Sequence, residues 1–294
     1  MDIGIFHQPQ TVDEAVTLAQ EVADGGFGTF CMPQIFGIDA LTTLAVVARE
    51  VPGIGLATGV VPTYPRHPMM LAAQALTVQQ VSGGRLTLGI GLSHQIVIES
   101  MLGISFEKPV RHLREYLSIL VPLLHGEAVD VEGETLTGKL ALDVPDAPAV
   151  PVLVAALGSQ MLGVAGRLAD GTVTWMTGPT TIGSHIAPTL AKAASDAGRP
   201  APRIVCALPV CVTDDEAGAR EAAGERFAGY GFLPSYRAML DREGVAGPAD
   251  VAIVGDAATV RAGVDRVFEQ GATQFVAVPY KNRQATLEVL AGLL

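Results

Sequence analysis

The sequence is poor in aromatic, charged and cysteine residues. Aromatic side chains make up 5% of the 294 residues, so a core must be built mainly from Ala, Val, Leu and Ile. Charged residues make up 17% and hydrophobic residues 49%, a composition typical of a globular protein rather than a disordered one. The three cysteines, Cys31, Cys206 and Cys211, form no Cys-x-x-Cys pair, and we expect them to be buried free thiols.

Positive charge and long apolar runs are also scarce. The formal net charge of −11 argues against a nucleic-acid-binding surface. No apolar run reaches the roughly 18 residues that a membrane-spanning helix needs. The first residues, "MDIGIFHQPQ", show neither the basic region nor the apolar stretch of a signal peptide. We therefore expect a cytoplasmic protein whose partner is a small-molecule substrate, with no nucleic-acid or membrane partner.

Short apolar runs alternate with helical patterns along the chain. The runs predict strands at 2–6, 27–32, 53–61, 85–92, 151–157, 172–177, 202–213 and 273–279. Their continuous hydrophobicity indicates strands covered on both faces. Eight strand–helix units at this length predict a single-domain (β/α)8 TIM barrel with insertions over residues 1–294, and a doubly wound open sheet is the alternative. Residues 128–145 predict a hairpin-like excursion and residues 230–250 a partly helical insertion.

The loops after the strands are where a barrel carries its function. Glycines at several of these strand ends would let a flat ligand approach the backbone closely. Only one histidine follows the first strand, which argues against a metal site, and none is expected. The predicted cofactor-facing residues after strands two to six are Gln34, Gly59, Val60, Ser93, Leu157, Gly158, Ser159, Gln160, Thr177 and Gly178.

Two strand ends predict anion binding. In "LGSQMLGVAGRLADG", Ser159 can cap a helix whose free N–H groups point at the pocket. "MTGPTT" after strand six predicts a second such helix start. Two adjacent helix starts at the barrel mouth favour a phosphate site, and ordinary helix capping is the alternative.

Several segments resemble the luciferase-like flavin and deazaflavin oxidoreductases over nearly the whole chain. They are "LATGVVPTYPRHPMMLAAQALTVQQVSGGRLTLGIGLSH", "PVRHLREYLSIL", "VPVLVAALGSQMLGVAGRLADGTVTWMTGP" and "VAIVGDAATVRAGVDRVFEQGATQFVAVP". The form "AALGSQML" followed by "AGRLADG" and Trp175 looks most like the actinobacterial branch that uses coenzyme F420, a deazaflavin.

The resemblance implies a luciferase-like (β/α)8 barrel, a homodimer, and a deazaflavin ring lying across the barrel mouth. It implies a non-prolyl cis peptide bond at Gly59–Val60 that backs the ring, and a cofactor phosphate near Gly158, Ser159, Thr177 and Gly178. Two positions depart from the pattern of the members that oxidise glucose 6-phosphate. Gln34 replaces an acidic residue, and Leu92-Ser93-His94 replaces a Thr-Gly-Glu whose glutamate donates a proton. The substrate is therefore expected to differ.

His94 is the predicted catalytic residue, because an imidazole suits general acid–base work near neutral pH. Contact with the cofactor or a loop alone is the alternative, and His67 and His7 are weaker candidates. The glycines of "LGIGL" are interpreted as giving the ring room, and Arg66 either steers an anionic group or lies on the surface. The insertion residues Tyr230, Phe232, Tyr236 and Met239 either roof an apolar substrate or only cover the barrel end.

These observations predict a deazaflavin-dependent oxidoreductase that transfers a hydride between F420 and an organic substrate. An FMN-dependent monooxygenase on the same fold is the alternative, and a non-catalytic flavin-binding protein is a second one.

Overall fold

Eight parallel strands close into a barrel in the computed structural model, which describes residues 1–294. The strands of the chain are β1 (Ile3–Phe6), β2 (Thr29–Met32), β3 (Gly55–Thr58), β4 (Val61–Pro62), β5 (Leu86–Gly91), β6 (Val129–Glu132), β7 (Thr137–Leu140), β8 (Val152–Val154), β9 (Gly171–Trp175), β10 (Arg203–Val212), β11 (Ile253–Gly255) and β12 (Gln274–Pro279). The barrel order is β10-β12-β1-β2-β3-β5-β8-β9, and the β9–β10 pairing closes it. The predicted (β/α)8 fold is confirmed.

Helices surround the barrel and connect successive strands. They are α1 (Val12–Asp24), α2 (Ala40–Glu50), α3 (Pro68–Ser82), α4 (Pro109–Leu124), α5 (Ser159–Leu168), α6 (Pro179–Thr181), α7 (Ala187–Asp196), α8 (Glu216–Phe227), α9 (Pro234–Glu243), α10 (Ala257–Glu269) and α11 (Arg283–Ala291). Two π-helices, Ile96–Met101 and Ile182–Ile186, and two 3-10 helices, Ala228–Phe232 and Pro248–Val251, interrupt this pattern. None of the helices is both long and apolar enough to cross a membrane.

Local sequence signals fix the helix starts. The side chains of Thr11 and Asp39 accept hydrogen bonds from the N–H groups of Glu14 and Thr42, as N-cap residues do, and α1 and α2 begin directly after them. Pro68 opens α3, and Gly83 ends it with φ +66°, a conformation that glycine adopts at low cost.

Alternate residues of the strands face two separate cores. Cys31, Leu153, Val205, Ala207 and Val276, from four barrel strands, contact each other inside the barrel. The opposite faces of the strands pack against the helices in a cluster of 66 buried residues. The strands are therefore covered on both faces, which explains why their sequences are continuous apolar runs.

The departures from the predicted elements are few. Strands β6 and β7 pair antiparallel, which confirms the hairpin within residues 128–145. The three-residue strand β11, which extends the sheet beside Val210–Val212 of β10, was not predicted. The predicted third strand at 53–61 is in fact two strands, β3 and β4, separated by Gly59 and Val60.

Candidate active site

The predicted site residues lie at the carboxyl ends of five consecutive barrel strands. In barrel order these strands are β2, β3, β5, β8 and β9. They are followed respectively by Gln34, the Gly59–Val60 pair, Ser93 with His94, residues 157–160, and Thr177 with Gly178. Because the strands are parallel neighbours, the barrel brings all of these residues to one end and one side of its mouth.

The break between β3 and β4 is bridged by a threonine. The peptide bond between Gly59 and Val60 is cis, as predicted. Just before it, the buried Thr58 hydroxyl donates to the carbonyl of Gly89 and accepts from the N–H of Gly89, both at 2.8 Å. The Thr58 hydroxyl thereby binds both backbone polar groups of Gly89, at the point where backbone hydrogen bonding between β3 and β5 is interrupted.

The glycines of "LGIGL" face this break. A Cβ on Gly89 would collide with the carbonyl oxygen of Thr58, and a Cβ on Gly91 would lie 2.8 Å from Cγ2 of Val60. The interpretation that these glycines give a ring room stays a prediction, because the fold itself already requires them. They are needed because the neighbouring strand approaches β5 closely, and Val60 occupies the space above Gly91.

Gln34 links the second strand end to the break and to α2. Its N–H donates to the carbonyl of Val60 at 3.3 Å, and its Oε1 accepts from the N–H of Ala40 at 2.8 Å. The Gln34 side chain thus binds the first turn of α2, and only the backbone of Gln34 hydrogen-bonds to the neighbouring strand end.

His94 stands at the end of β5, between a strained residue and a π-helix. Ser93 has φ +62°, which is uncommon for a residue with a side chain and turns the chain sharply after the strand. The carbonyl of His94 then accepts from the N–H groups of Val97 and Ile98. The imidazole is half-buried, and burial lowers its pKa below its ordinary value of 6.5. His94 is therefore neutral at neutral pH and suited to accepting a proton.

The insertion after α8 reaches over the barrel mouth. The ring of Tyr236 on α9 lies 5.7 Å from the ring of His94, and Tyr230 lies 5.2 Å from Tyr236. Tyr230 in turn packs edge-on against Trp175 at the end of β9, with centroids 5.7 Å apart. The indole Nε1 of Trp175 is buried without a hydrogen-bond partner. Of the predicted roof residues, Phe232 instead points outward, 85% exposed, and Met239 is buried.

The first turn of α5 has free donors. The N-cap residue is Gly158, so the prediction that Ser159 caps this helix is wrong. No side chain caps α5, and the N–H groups of Ser159, Gln160 and Met161 have no acceptor in the protein. A Cβ on Gly158 would meet nothing within 4 Å. This helix start therefore offers N–H groups and open space together, as an anion requires.

The second predicted anion site, at α6, is already filled by the protein. The carboxylate of Glu243, at the end of α9, accepts from the N–H groups of Thr180 and Thr181 at 3.1 and 2.7 Å. Thr177 is fully buried, and its hydroxyl donates to the carbonyl of Trp175. The expectation of a second free helix start at Thr177 and Gly178 is therefore wrong, because an internal carboxylate occupies the place of a ligand anion.

The weaker histidine candidates have structural surroundings. His67 is the N-cap of α3, where its Nδ1 accepts from the N–H of Met69 and its Nε2 contacts the carbonyl of Thr137. His7 is buried beside Arg283, and burial lowers its pKa to about 4. Arg66 forms an ion pair with Asp39, so it is not free to steer a ligand.

A buried histidine beside the site and a pocket elsewhere in the barrel were not predicted. His185, in the second π-helix, is buried, and its Nε2 lies 2.8 Å from the carbonyl of Leu157 at the end of β8. A pocket of about 350 Å³ lies between α6, the insertion and α10. It is lined in part by Thr180, Arg220, Glu243 and Arg266, and none of the predicted site residues lines it. Nothing in the local sequence around His185 distinguishes it from an ordinary helical residue.

Eight parallel strands closed into a barrel, with polar groups on the loops at its carboxyl mouth, define the (β/α)8 class of proteins. The model of the luciferase-like monooxygenase family matches residues 1–274, so the chain is a member of this family.

Two relatives are similar in sequence. The 5,10-methylenetetrahydromethanopterin reductase of Methanolobus tindarius is 30% identical over 223 residues, which cover 74% of this chain and 67% of the reductase. A putative coenzyme F420-dependent oxidoreductase of Mycobacterium tuberculosis is 29% identical over 228 residues, which cover 72% of this chain and 65% of that protein. The matched residues thus span about two thirds of the length of each relative.

Solved structures share the fold. An F420-dependent secondary alcohol dehydrogenase, solved with an F420–acetone adduct, superimposes with a TM-score of 0.83 at 18% identity, covering 100% of this chain and 98% of the dehydrogenase. The oxygenating constituent of 3,6-diketocamphane monooxygenase from Pseudomonas putida, solved with FMN, superimposes with a TM-score of 0.77 at 18% identity, covering 99% and 96%. At these identities the likeness establishes the fold.

Proposed function

We propose that the protein is a coenzyme F420-dependent oxidoreductase. The bound deazaflavin would supply a carbon centre that accepts or gives up a hydride, and the protein would position the substrate, exclude water and handle a proton. The relatives that are described by their F420 dependence support this choice of cofactor. Hydride transfer and the cofactor are both parts of the proposal.

The observation that carries the proposal is the uncapped start of α5 beside the barrel mouth. Its three free N–H groups and the open space at Gly158 fit a phosphate group, since a helix N-terminus favours negative charge. The adjacent strand ends at Gly59–Val60 and Ser93 would lie along the rest of a flat ligand. Leu157 and Gln160 flank the same helix start.

His94 would accept a proton from the substrate during oxidation. Because burial holds its pKa below 6.5, the imidazole is neutral at pH 7 and can accept the hydroxyl proton of an alcohol as the alcohol is oxidised. In the opposite direction the same residue would return the proton, with activity favoured at lower pH. Tyr236 packs beside the imidazole, with ring centroids 5.7 Å apart, and would limit its contact with water.

An FMN-dependent monooxygenase is the second candidate. The diketocamphane monooxygenase shares this fold and binds FMN, which also carries a phosphate. Phosphate binding at α5 therefore does not separate the two cofactors.

The deciding experiment is a fluorescence titration of the purified protein with F420, FMN and FAD. We expect F420 to bind at micromolar concentrations or below and FMN to bind much more weakly. Gly158→Leu should weaken F420 binding without unfolding the protein, because the new side chain would project into the space left for the ligand. Gly247→Leu is the matched control, since Gly247 also has open space around it. Equal or tighter binding of FMN would favour the monooxygenase, and unchanged affinity in Gly158→Leu would remove α5 from the site.

A further inference from the structure

The segments that directly follow the barrel strands contain no unpaired cation. No charged side chain occurs in the short segments 92–95, 155–158 and 176–178, which directly follow β5, β8 and β9. Arg66, after β4, is paired with Asp39. At the end of β12, Arg283 is paired with Glu21 at 2.6 Å, and Lys281 lies 3.9 Å from Asp215.

An anionic substrate would therefore lack a side-chain partner in the segments that directly follow the strands. The free N–H groups of α5 are the exception, and the proposed function assigns them to the cofactor phosphate. The two histidines at the mouth add no charge either, because His7 and His94 are both held neutral by burial. Two arginines farther along the chain, Arg226 at the end of α8 and Arg242 on α9 of the insertion, are exposed, and Arg226 lies over the ring of Phe227.

Exposed apolar side chains are concentrated at the same end of the barrel. Ten large hydrophobic residues of the chain are exposed, and six of them belong to segments that extend from the carboxyl ends of the strands. These six, the apolar rim, are Ile35, Phe36, Ile96, Met101, Leu102 and Phe232. The most exposed are Phe232 at 85%, Phe36 at 73% and Ile96 at 65%. Exposed apolar groups that gather at one end of a soluble protein mark a binding surface.

Aromatic side chains also pack together in the segments at this end of the barrel. The Phe106 ring stacks on Tyr64 at 4.9 Å in the loop region beyond the first π-helix, and the Tyr64 hydroxyl is buried without a partner. On the insertion side, Tyr236 and Tyr230 lead from His94 to Trp175. A ligand that reaches His94 from the rim would thus pass aromatic and aliphatic surface.

We infer that the substrate is an uncharged alcohol or ketone with a long apolar portion, which lies against the apolar rim while its oxygen reaches His94. This inference rests on the proposed function. In the oxidising direction the carbinol carbon would give its hydride to the oxidised deazaflavin and the hydroxyl proton would pass to His94, so that the alcohol would become a ketone with no further reactant.

The sole tryptophan provides a readout that is independent of turnover. Trp175 stands at the end of β9 and contacts Tyr230, so its fluorescence reports on ligands that enter the mouth. Octan-2-ol, octanoate and butan-2-ol are titrated into the full-length protein, with and without F420. Octan-2-ol should bind at least about tenfold more tightly than octanoate of equal length, and at least about tenfold more tightly than butan-2-ol. Octanoate binding as tightly as octan-2-ol, or affinity that does not depend on chain length, would overturn the inference.

A variant locates the apolar portion. Phe232→Ser should lower the affinity for octan-2-ol several-fold and leave that for butan-2-ol unchanged, because Phe232 belongs to the outer rim. Leu294→Ser is the matched control, an exposed apolar residue at the end of the chain and outside the rim. Equal effects of the two variants would contradict the inference. So would a Phe232→Ser variant that loses self-association in sedimentation while keeping its affinity for octan-2-ol, since a second copy of the chain would then cover the rim.

Failure of this inference and failure of the proposed function give different results. If F420 binds but the long uncharged ligand is not preferred, only the substrate class is wrong. If F420 does not bind, the cofactor assignment is wrong, while the Trp175 titration still measures which ligands the mouth selects.

Discussion

The rings of His94 and Tyr236 lie 5.7 Å apart and are inclined at 57°. One belongs to the loop after the fourth barrel strand, and the other to a helix of the insertion more than a hundred residues later. This contact joins the proposed proton carrier to the segment that covers it, so the environment of the imidazole depends on where the insertion sits.

Removal of His94 should affect turnover rather than cofactor binding. We expect His94→Ala to lower kcat and kcat/KM by a similar factor of about 10²–10⁴, the range for loss of a general acid–base group. Stopped-flow measurement of cofactor reduction, beside an F420 titration, tests this. His125→Ala, at an exposed histidine, is the control. Lost F420 affinity with near-normal turnover at saturating cofactor would instead make His94 a cofactor ligand.

The Tyr236 ring should control the proton affinity of His94. Burial lowers the pKa of His94, so Tyr236→Ala, which admits water, should raise that pKa toward 6.5. Tyr236→Phe keeps the ring and should leave it nearly unchanged. NMR titration of the His94 imidazole protons distinguishes the variants, with Phe232→Ala on the same insertion as the control. A pKa that does not move in Tyr236→Ala would mean that other groups bury the imidazole.

A side chain at position 89 should destabilise the fold more than one at 91. The added Cβ of Gly89→Ala would meet the backbone carbonyl of Thr58, which cannot move alone, whereas that of Gly91→Ala would meet the side chain of Val60. We expect a loss in unfolding free energy of about 3 kcal/mol or more for Gly89→Ala and about 1–2 kcal/mol for Gly91→Ala. Urea denaturation measures both. Gly158→Ala, whose Cβ meets nothing, should have little effect, and a loss as large there would show that contact is not the cause.

Loss of the Glu243 carboxylate should weaken the start of α6. Glu243→Ala leaves the N–H groups of Thr180 and Thr181 without acceptors, and we expect an unfolding free energy lower by about 1–2 kcal/mol. Glu221→Ala, at an exposed glutamate of α8, controls for the change in charge. Thermal denaturation of the two variants side by side checks this, and the cap has no energetic role if their midpoints coincide.

Acid should destabilise the protein through its buried histidines. Burial lowers the pKa of His112 to about 4, whereas the unfolded chain protonates near 6.5. Between these values the unfolded state binds more protons, so the free energy of unfolding should fall as the pH drops from about 6.5 to about 4. His112 contributes on the order of 3 kcal/mol to this loss.

The test is the unfolding free energy of His112→Phe measured across this range of pH. The variant should flatten the pH dependence, while His125→Phe at an exposed site should keep it. His112 contacts Thr63, Tyr64 and Tyr116, and Glu115 raises its pKa slightly against the effect of burial. A slope that His112→Phe leaves intact would assign the acid sensitivity to other groups, of which buried His7 is the first candidate.

Features with a local signature were predictable from the sequence. Apolar runs and capping residues such as Thr11 and Asp39 specified the eight strand–helix units, because these signals act over a few residues. The cis bond at Gly59–Val60 came from family resemblance, since no local pattern indicates it. Strand β11 was missed because three residues after an irregular insertion carry no detectable period.

The features that were missed at the site depend on distant partners. Glu243 caps a helix 63 residues earlier in the chain, so the sequence around "MTGPTT" shows a free helix start where the folded protein has none. The same reason hides the contact of His185 with Leu157, 28 residues away. The ends of the predicted strands indicate which residues lie near a site. Tertiary contacts decide which backbone N–H groups there remain free to bind a ligand.

Because Glu243 caps α6, the insertion and the segment after β9 cannot be exchanged independently between proteins. A side chain at position 178 would occupy the place of the Glu243 carboxylate, so the cap formed by Glu243 requires glycine at 178. A chimera that receives residues 228–251 from another barrel without an acidic residue at this position would leave two backbone donors bare. In an alignment of relatives, these two positions should change together.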